Sequence, residues 1–131
     1  MQINMAAEKI LDIAHETARQ LSHAGYKEAA YQSVLKHLLE KEDFVVCSEV
    51  GVVYKLSDGF CFGHGRIDLV VTHTPTAECF ILELKANVRP NLRAHLGQLS
   101  RYLHHYRSPV TQGILLYFNS WDKNVMHHTI G

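Results

Sequence analysis

Three side chains in two neighbouring stretches have the types and spacing to do chemistry together. In Arg66-Ile67-Asp68-Leu69-Val70-Val71 an acid stands inside an otherwise apolar run. In Cys79-Phe80-Ile81-Leu82-Glu83-Leu84-Lys85 an acid and an amine are two residues apart. Read as strands, the second run puts Glu83 and Lys85 on one face and Phe80, Leu82 and Leu84 on the other. The first puts Asp68 with Val70, opposite Ile67 and Leu69. An ionised carboxylate in a dry core needs a partner. Two carboxylates brought together raise each other's pKa unless a cation intervenes. Mg²⁺ or Mn²⁺ suits such a site, because hard cations take oxygen ligands and keep several waters. Such an ion activates water and stabilises charge on a reacting phosphodiester, and a lysine beside it orients or deprotonates that water. The alternative for Glu83 and Lys85 alone is an exposed ion pair of little worth.

The elements that must position these residues follow from periodicity. Ala7, Ile10, Leu11, Ala14, Ala18 and Leu21 form one helical stripe, so a helix is predicted over residues 5–23, stopped at Gly25. Tyr31, Val34, Leu35, Leu38 and Leu39 form a second, over residues 27–41. Glu28 lies one turn before Tyr31 and Gln32 and can face the core side. Short β-branched runs then predict strands at 44–50, 52–56, 67–72 and 80–86, with a turn at Ser57-Asp58-Gly59. Leu92, Leu96, Leu99, Leu103 and Tyr106 mark a third helix over 91–106. Residues 114–118 and 125–130 read as further strands. The predicted order is ααββββαββ, an α/β chain whose helix crossing between two apolar strands implies a partly parallel sheet. Without linker or repeat, residues 1–131 read as one domain.

Composition narrows the function. The 131 residues carry 13 basic and 13 acidic side chains, which argues against gripping nucleic acid by bulk charge alone. Charge is nevertheless uneven. Residues 86–121 hold Arg89, Arg93, Arg101 and Arg107, three histidines and no acid, so the four arginines are candidates for a DNA phosphate surface. No apolar run is long enough to span a membrane. The first twenty residues do not look like a secretory signal, so an intracellular location, cytoplasmic or nuclear, is expected. Cys47, Cys61 and Cys79 are odd in number and irregularly spaced, which predicts buried, reduced thiols rather than disulfides. Cys61-x-x-His64 lacks the second pair that a zinc site needs. Gly63-His64-Gly65 is expected to be a flexible approach to the Asp68 strand.

Asp68 followed by Glu83-Leu84-Lys85 resembles the bipartite D…(D/E)-x-K motif of the PD-(D/E)XK nuclease superfamily. The chain is similar in particular to its GxxExxY branch. That signature stands as Gly25-Tyr26-Lys27-Glu28-Ala29-Ala30-Tyr31. Matching stretches follow in order at Glu49-Val50 with Val53-Tyr54-Lys55, at Gly65–Val71, at Phe80–Ala86, at Gln98-Leu99 with Tyr102-Leu103, and at Gly113–Asn119. The resemblance implies a restriction-endonuclease-like core, a central mixed sheet flanked by helices, with residues 5–23 as an extra helix. It implies Mg²⁺ or Mn²⁺ ligated by Asp68, Glu83 and the Leu84 carbonyl, with Lys85 as catalytic lysine. Glu28 would add a carboxylate, and Gln98 and Tyr102 would extend the site. Four apart, Gln98 and Tyr102 share a helix face and are expected beside the leucine stripe. The implied activity is metal-dependent cleavage of DNA. The C-terminal stretch WDKNVMHHTI lacks the basic residues usual in the branch, which motivates the alternative: a catalytically silent module binding nucleic acid or a protein partner, or completing its grip as a homodimer.

Overall fold

The structure, a computed structural model, describes residues 4–131. In chain order it contains α1 (Met5–Gln20), α2 (Glu28–Glu40), β1 (Phe44–Lys55), β2 (Cys61–His73), β3 (Glu78–Ala86), α3 (Leu92–His105), β4 (Gln112–Asn119) and β5 (Asp122–Ile130). The strands form one sheet in the order β1-β2-β3-β4-β5. Only β3 and β4 are parallel. A parallel pair cannot be joined by a hairpin, and α3 supplies the crossover. No helix among the described residues is long and apolar enough to cross a membrane.

Local chemistry sets the helix ends. Asn4 caps α1 by accepting the Ala7 N–H at 2.9 Å, and Asn91 caps α3 through the Ala94 N–H at 3.2 Å. α1 stops at Gln20, three residues short of its predicted end. Gly25, at φ +66, belongs to the connection into α2 rather than to a helix stop. α1 and α2 cover one sheet face, burying Ile10, Ala14, Tyr31, Leu35 and Leu39 on Phe80, Leu82, Leu84, Ile114 and Leu116. On the other face α3 buries Leu99 and Tyr102 on Ile81, Leu115 and Tyr117.

The two strands predicted over 44–56 are one strand, so the order is ααβββαββ. Gly51 does not break it, because it keeps its pairing with Arg66. What changes within β1 is the side-chain face. Phe44 and Val46 lie in the α1–α2 core, yet Val52 lies in the α3 core. An unbroken pleat would hold even-numbered residues on one face. The switch coincides with Glu49, which adopts left-handed φ +53. β2 follows its partner: Leu69 and Val71 face α1 and α2, whereas Ile67 faces α3 with Val70. Ile67 is therefore not opposite Val70, as simple alternation predicts. This reversal turns the distal hairpin over α3.

That arm accounts for its glycines. Gly63 and Gly65 are within β2 rather than in a flexible approach. A Cβ at Gly65 would come within 2.8 Å of Tyr102 Cε1 and would also strike Tyr54. Gly65→Ala is expected to displace the Tyr102 ring and cost about 1–3 kcal/mol, as overpacking does. Thermal denaturation checks this, and an unchanged midpoint would contradict the close approach. Cys47 and Cys61 are exposed and Cys79 half-buried, not buried as expected. Cys47 is on edge strand β1 and Cys61 at the start of the arm, where the helices do not cover them.

Candidate active site

Pairing of β2 with β3 runs from His73↔Glu78 to Leu69↔Leu82 and stops. The next step of that register would set Asp68 opposite Glu83. There the strands part, β2 leaving with β1 and β3 continuing beside β4. In the fork the Leu84 N–H donates to Asp68 Oδ2 at 2.7 Å. A side chain thus replaces the ladder carbonyl that the departing strand withdraws.

Glu83 is 2% exposed. Its Oε2 is 3.0 Å from Lys85 Nζ. Its Oε1 is buried and meets no donor among the described residues. Asp68 is the neighbouring acid, and two ionised carboxylates are both acceptors. A proton, a bound cation or an ordered water would satisfy that oxygen. Burial first, and then the Asp68 charge, push the Glu83 carboxyl up to about 8, against the pull of Lys85. Asp68 is also raised, burial outweighing the Leu84 N–H, the Glu83 contact and the Lys85 charge. For Lys85, burial works downward, but Glu83 and then Glu28 and Asp68 hold its ammonium above its ordinary range. Glu28 opens α2 and is half-buried. Its carboxyl is raised by burial and next by Asp68.

Two further groups meet the site that sequence reasoning assigned no role. Glu49 adds negative charge felt by both Asp68 and Glu28. The β1–β2 register places it across from Asp68, between Ser48↔Leu69 and Val50↔Ile67. Only the pairing register could reveal this. His95, on α3, hydrogen-bonds through Nδ1 to the Tyr117 hydroxyl, and Tyr117 pairs with Lys85 across β3 and β4. Burial and then the Lys85 charge lower its pKa, favouring neutral imidazole.

Gln98 Nε2 donates to the Tyr102 hydroxyl at 2.9 Å. Tyr102 is within the α3 core rather than beside the leucine stripe, because the arm folds over that flank of the helix. Burial, and then the Glu83 charge, push its phenol up to about 12. It therefore stays protonated and can only share its hydroxyl. Arg89, Arg93, Arg101 and Arg107 are all exposed. The structure does not bring the four together: they are strung from before α3 to beyond its end, a helix of 14 residues spanning roughly 20 Å.

Asp68 and Glu83 supply two side-chain carboxylates for a cation, and no group of three acidic, histidine or cysteine side chains set to hold a metal ion occurs among the described residues. The pair still fits Mg²⁺ or Mn²⁺, since such ions bind through one or two carboxylates and retain water. The donorless Glu83 Oε1 is the observation that this chemistry explains.

Asn87 ties together the elements around the site. At φ +58 it follows β3 directly. Its Nδ2 donates to the Tyr26 carbonyl and to Ser120 Oγ, both at 2.8 Å, and its Oδ1 accepts the Ser120 N–H at 2.8 Å. Ser120 Oγ is also 2.9 Å from the Tyr31 hydroxyl on α2. The Glu28 end of α2 is thereby tied to the Lys85 end of β3. Asn87→Ala is expected to cost about 1–3 kcal/mol, leaving the buried Ser120 short of its partners, and to weaken any Mn²⁺ binding. Denaturant unfolding and calorimetry check the two effects.

A model of the PD-(D/E)XK nuclease superfamily matches residues 4–129. No curated protein matches the chain. Among solved structures, the crystal structure of SSO0001 is similar with TM-score 0.54 at 18% identity, covering 98% of this chain and 78% of that one. The cryoEM structure of a DrdV–DNA complex has TM-score 0.47 at 12% identity, covering 92% of this chain and 12% of that one. The first likeness shows the same fold; the second is too weak to carry an argument. The five-stranded mixed sheet flanked by helices is the restriction-endonuclease-like architecture, and with the family match over nearly its whole length the chain belongs to the PD-(D/E)XK nuclease superfamily.

Proposed function

We propose that the protein is a Mg²⁺- or Mn²⁺-dependent nuclease that hydrolyses DNA phosphodiester bonds through an activated water. The observation that carries this reading is the buried carboxylate pair at the strand fork, with Glu83 Oε1 lacking a donor beside Asp68. Asp68, Glu83 and the Leu84 carbonyl would hold the cation, which when bound lowers the pKa of water and offsets charge on the phosphate. Asp68 is kept in place by the Leu84 N–H. Glu83, its carboxyl pushed up to about 8, would release its proton when it takes up the cation. The Lys85 ammonium, 3.0 Å from Glu83, is aimed by that contact and stabilises negative charge at the phosphate. Gln98 and Tyr102 offer polar groups from α3. Arg89, Arg93, Arg101 and Arg107, strung out along α3 and beyond its ends, would each contact the DNA backbone. Finer membership in the GxxExxY branch rests on the six ordered stretches.

Calorimetric titration with Mn²⁺, together with cleavage assays on single-stranded, duplex and branched DNA, tests this. Binding of Mn²⁺ is expected, with cleavage that Lys85→Ala removes and the fold intact. The absence of Mn²⁺ binding would sink the reading. Metal binding without turnover on all three substrates would favour the silent, DNA- or protein-binding module, a reading supported by the zero net charge and the dispersed arginines.

A further inference from the structure

The β1–β2 hairpin beyond the fork carries large rings in solvent. Phe60 is 62% exposed and Phe62 is 54% exposed. Neither is needed to fill a core, and exposed aromatic surface has a cost unless something covers it. Between this arm and the end of α3 lies a cavity of about 580 Å³, lined among others by Lys55, His104, His105, Arg107 and Ser108. No acidic side chain lines it. The one acid in the arm, Asp58, is engaged at its tip by the Phe60 N–H at 2.9 Å. Phe62 stands beside His105 of the cavity lining, its ring 5.9 Å from that of His105 and 6.1 Å from that of Tyr54.

Packed rings link this groove to the candidate active site. Tyr102, whose hydroxyl senses Glu83, lies against the Gly65 backbone, and so does Tyr54. Tyr54 is in turn 4.9 Å from His105. A run of rings therefore leads from the carboxylate pair to a cationic cavity with the half-exposed Phe62 ring beside it. Duplex DNA hides its base faces and is held chiefly through its phosphates. Cations interleaved with exposed rings suit unpaired bases, which stack while the backbone follows the charge.

We propose that the groove between the hairpin arm and the end of α3 binds single-stranded DNA, with bases stacked on Phe62 and phosphates held by Lys55 and Arg107. The proposal deepens the nuclease reading and rests on it for the choice of DNA as occupant. It makes the preferred substrate a strand with an unpaired segment rather than blunt duplex.

Fluorescence anisotropy with a labelled oligothymidine and a blunt duplex, using the full chain in EDTA, tests it without cleavage. The parent is expected to bind the single strand at least about tenfold more tightly. Phe62→Ala should weaken that binding about tenfold, Phe62→Trp should retain it, and duplex binding should be unmoved. Lys55→Gln should flatten the salt dependence. Phe62→Ala should keep the parent's thermal midpoint and Mn²⁺ titration, since the ring is outside the core and the carboxylate site. Equal affinity of parent and Phe62→Ala for the single strand overturns the proposal, as does a preference for duplex or binding to neither. Stacking-dependent binding without Mn²⁺ binding leaves the groove standing and removes the nuclease reading. Mn²⁺-dependent cleavage unaffected by Phe62→Ala does the reverse.

Discussion

Asp68→Ala is expected to lose Mn²⁺ binding and to cut DNA on the order of a thousandfold more slowly, or not at all. Asp68 has two duties that this change removes together. In the proposed mechanism it would offer one of two carboxylates to a cation, and it accepts the Leu84 N–H at the fork. Leaving that buried donor unmatched costs about 1–3 kcal/mol. Removing a negative charge from beside Glu83 acts in the other direction. Asp68→Asn separates the duties. Its carbonyl can still accept the Leu84 N–H, and its amide can donate to Glu83 Oε1, the oxygen that lacks a donor. Asp68→Asn is therefore expected to be at least as stable as the parent at neutral pH and equally inactive. Melting curves, Mn²⁺ calorimetry and cleavage by the two variants decide this. Cleavage by Asp68→Asn at the parent's rate, contaminating nuclease excluded, would place the chemistry elsewhere.

The second large effect concerns pH. Glu83 titrates near 8 in the folded protein against 4.5 ordinarily. The unfolded chain releases this proton above about 4.5 while the folded state still holds it. Folding therefore takes up a proton in that window, and stability falls as pH rises from about 4.5 to about 8. At about 1.4 kcal/mol per pH unit the loss reaches several kcal/mol. Asp68 is raised too and adds in the same direction. Glu83→Gln deletes the main titration. Its melting temperature is expected to vary less between pH 5 and 8 and to exceed the parent's at pH 8, while Mn²⁺ binding and cleavage disappear. Saturating Mn²⁺ should restore the parent most strongly at high pH, releasing protons as it binds near neutrality. A parent melting temperature flat from pH 5 to 8 without metal would show that the two acids do not share a buried site. The expected pattern is that of a functional site kept at the expense of stability, where the better-folded variant is the inactive one.

Much of this was written in local periodicity. The alternation through Phe80–Lys85 correctly separated Glu83 and Lys85 from Phe80, Leu82 and Leu84, because β3 is a regular central strand with a core on each side. The stripes of α1, α2 and α3 located the helices to within a few residues, since each buries one face against the sheet. Alternation failed at Ile67, and the supposed break at Gly51 was a continuous strand. One residue, Glu49, takes a left-handed conformation that reverses the faces of β1 and carries β2 with it. No composition rule announces such a residue when it is not glycine.

The sequence by itself determined which residue types were available and which side of a helix or strand most of them would take. Those choices follow from spacing along the chain. Tertiary structure alone decided that β2 pairs with β3 only from Leu69 onward, which sets Asp68 beside Glu83, brings Glu49 to the same corner and folds the arm over Tyr102. Each of these depends on strand register and on where pairing stops. They arise from contacts between distant segments, and spacing within one segment does not encode them.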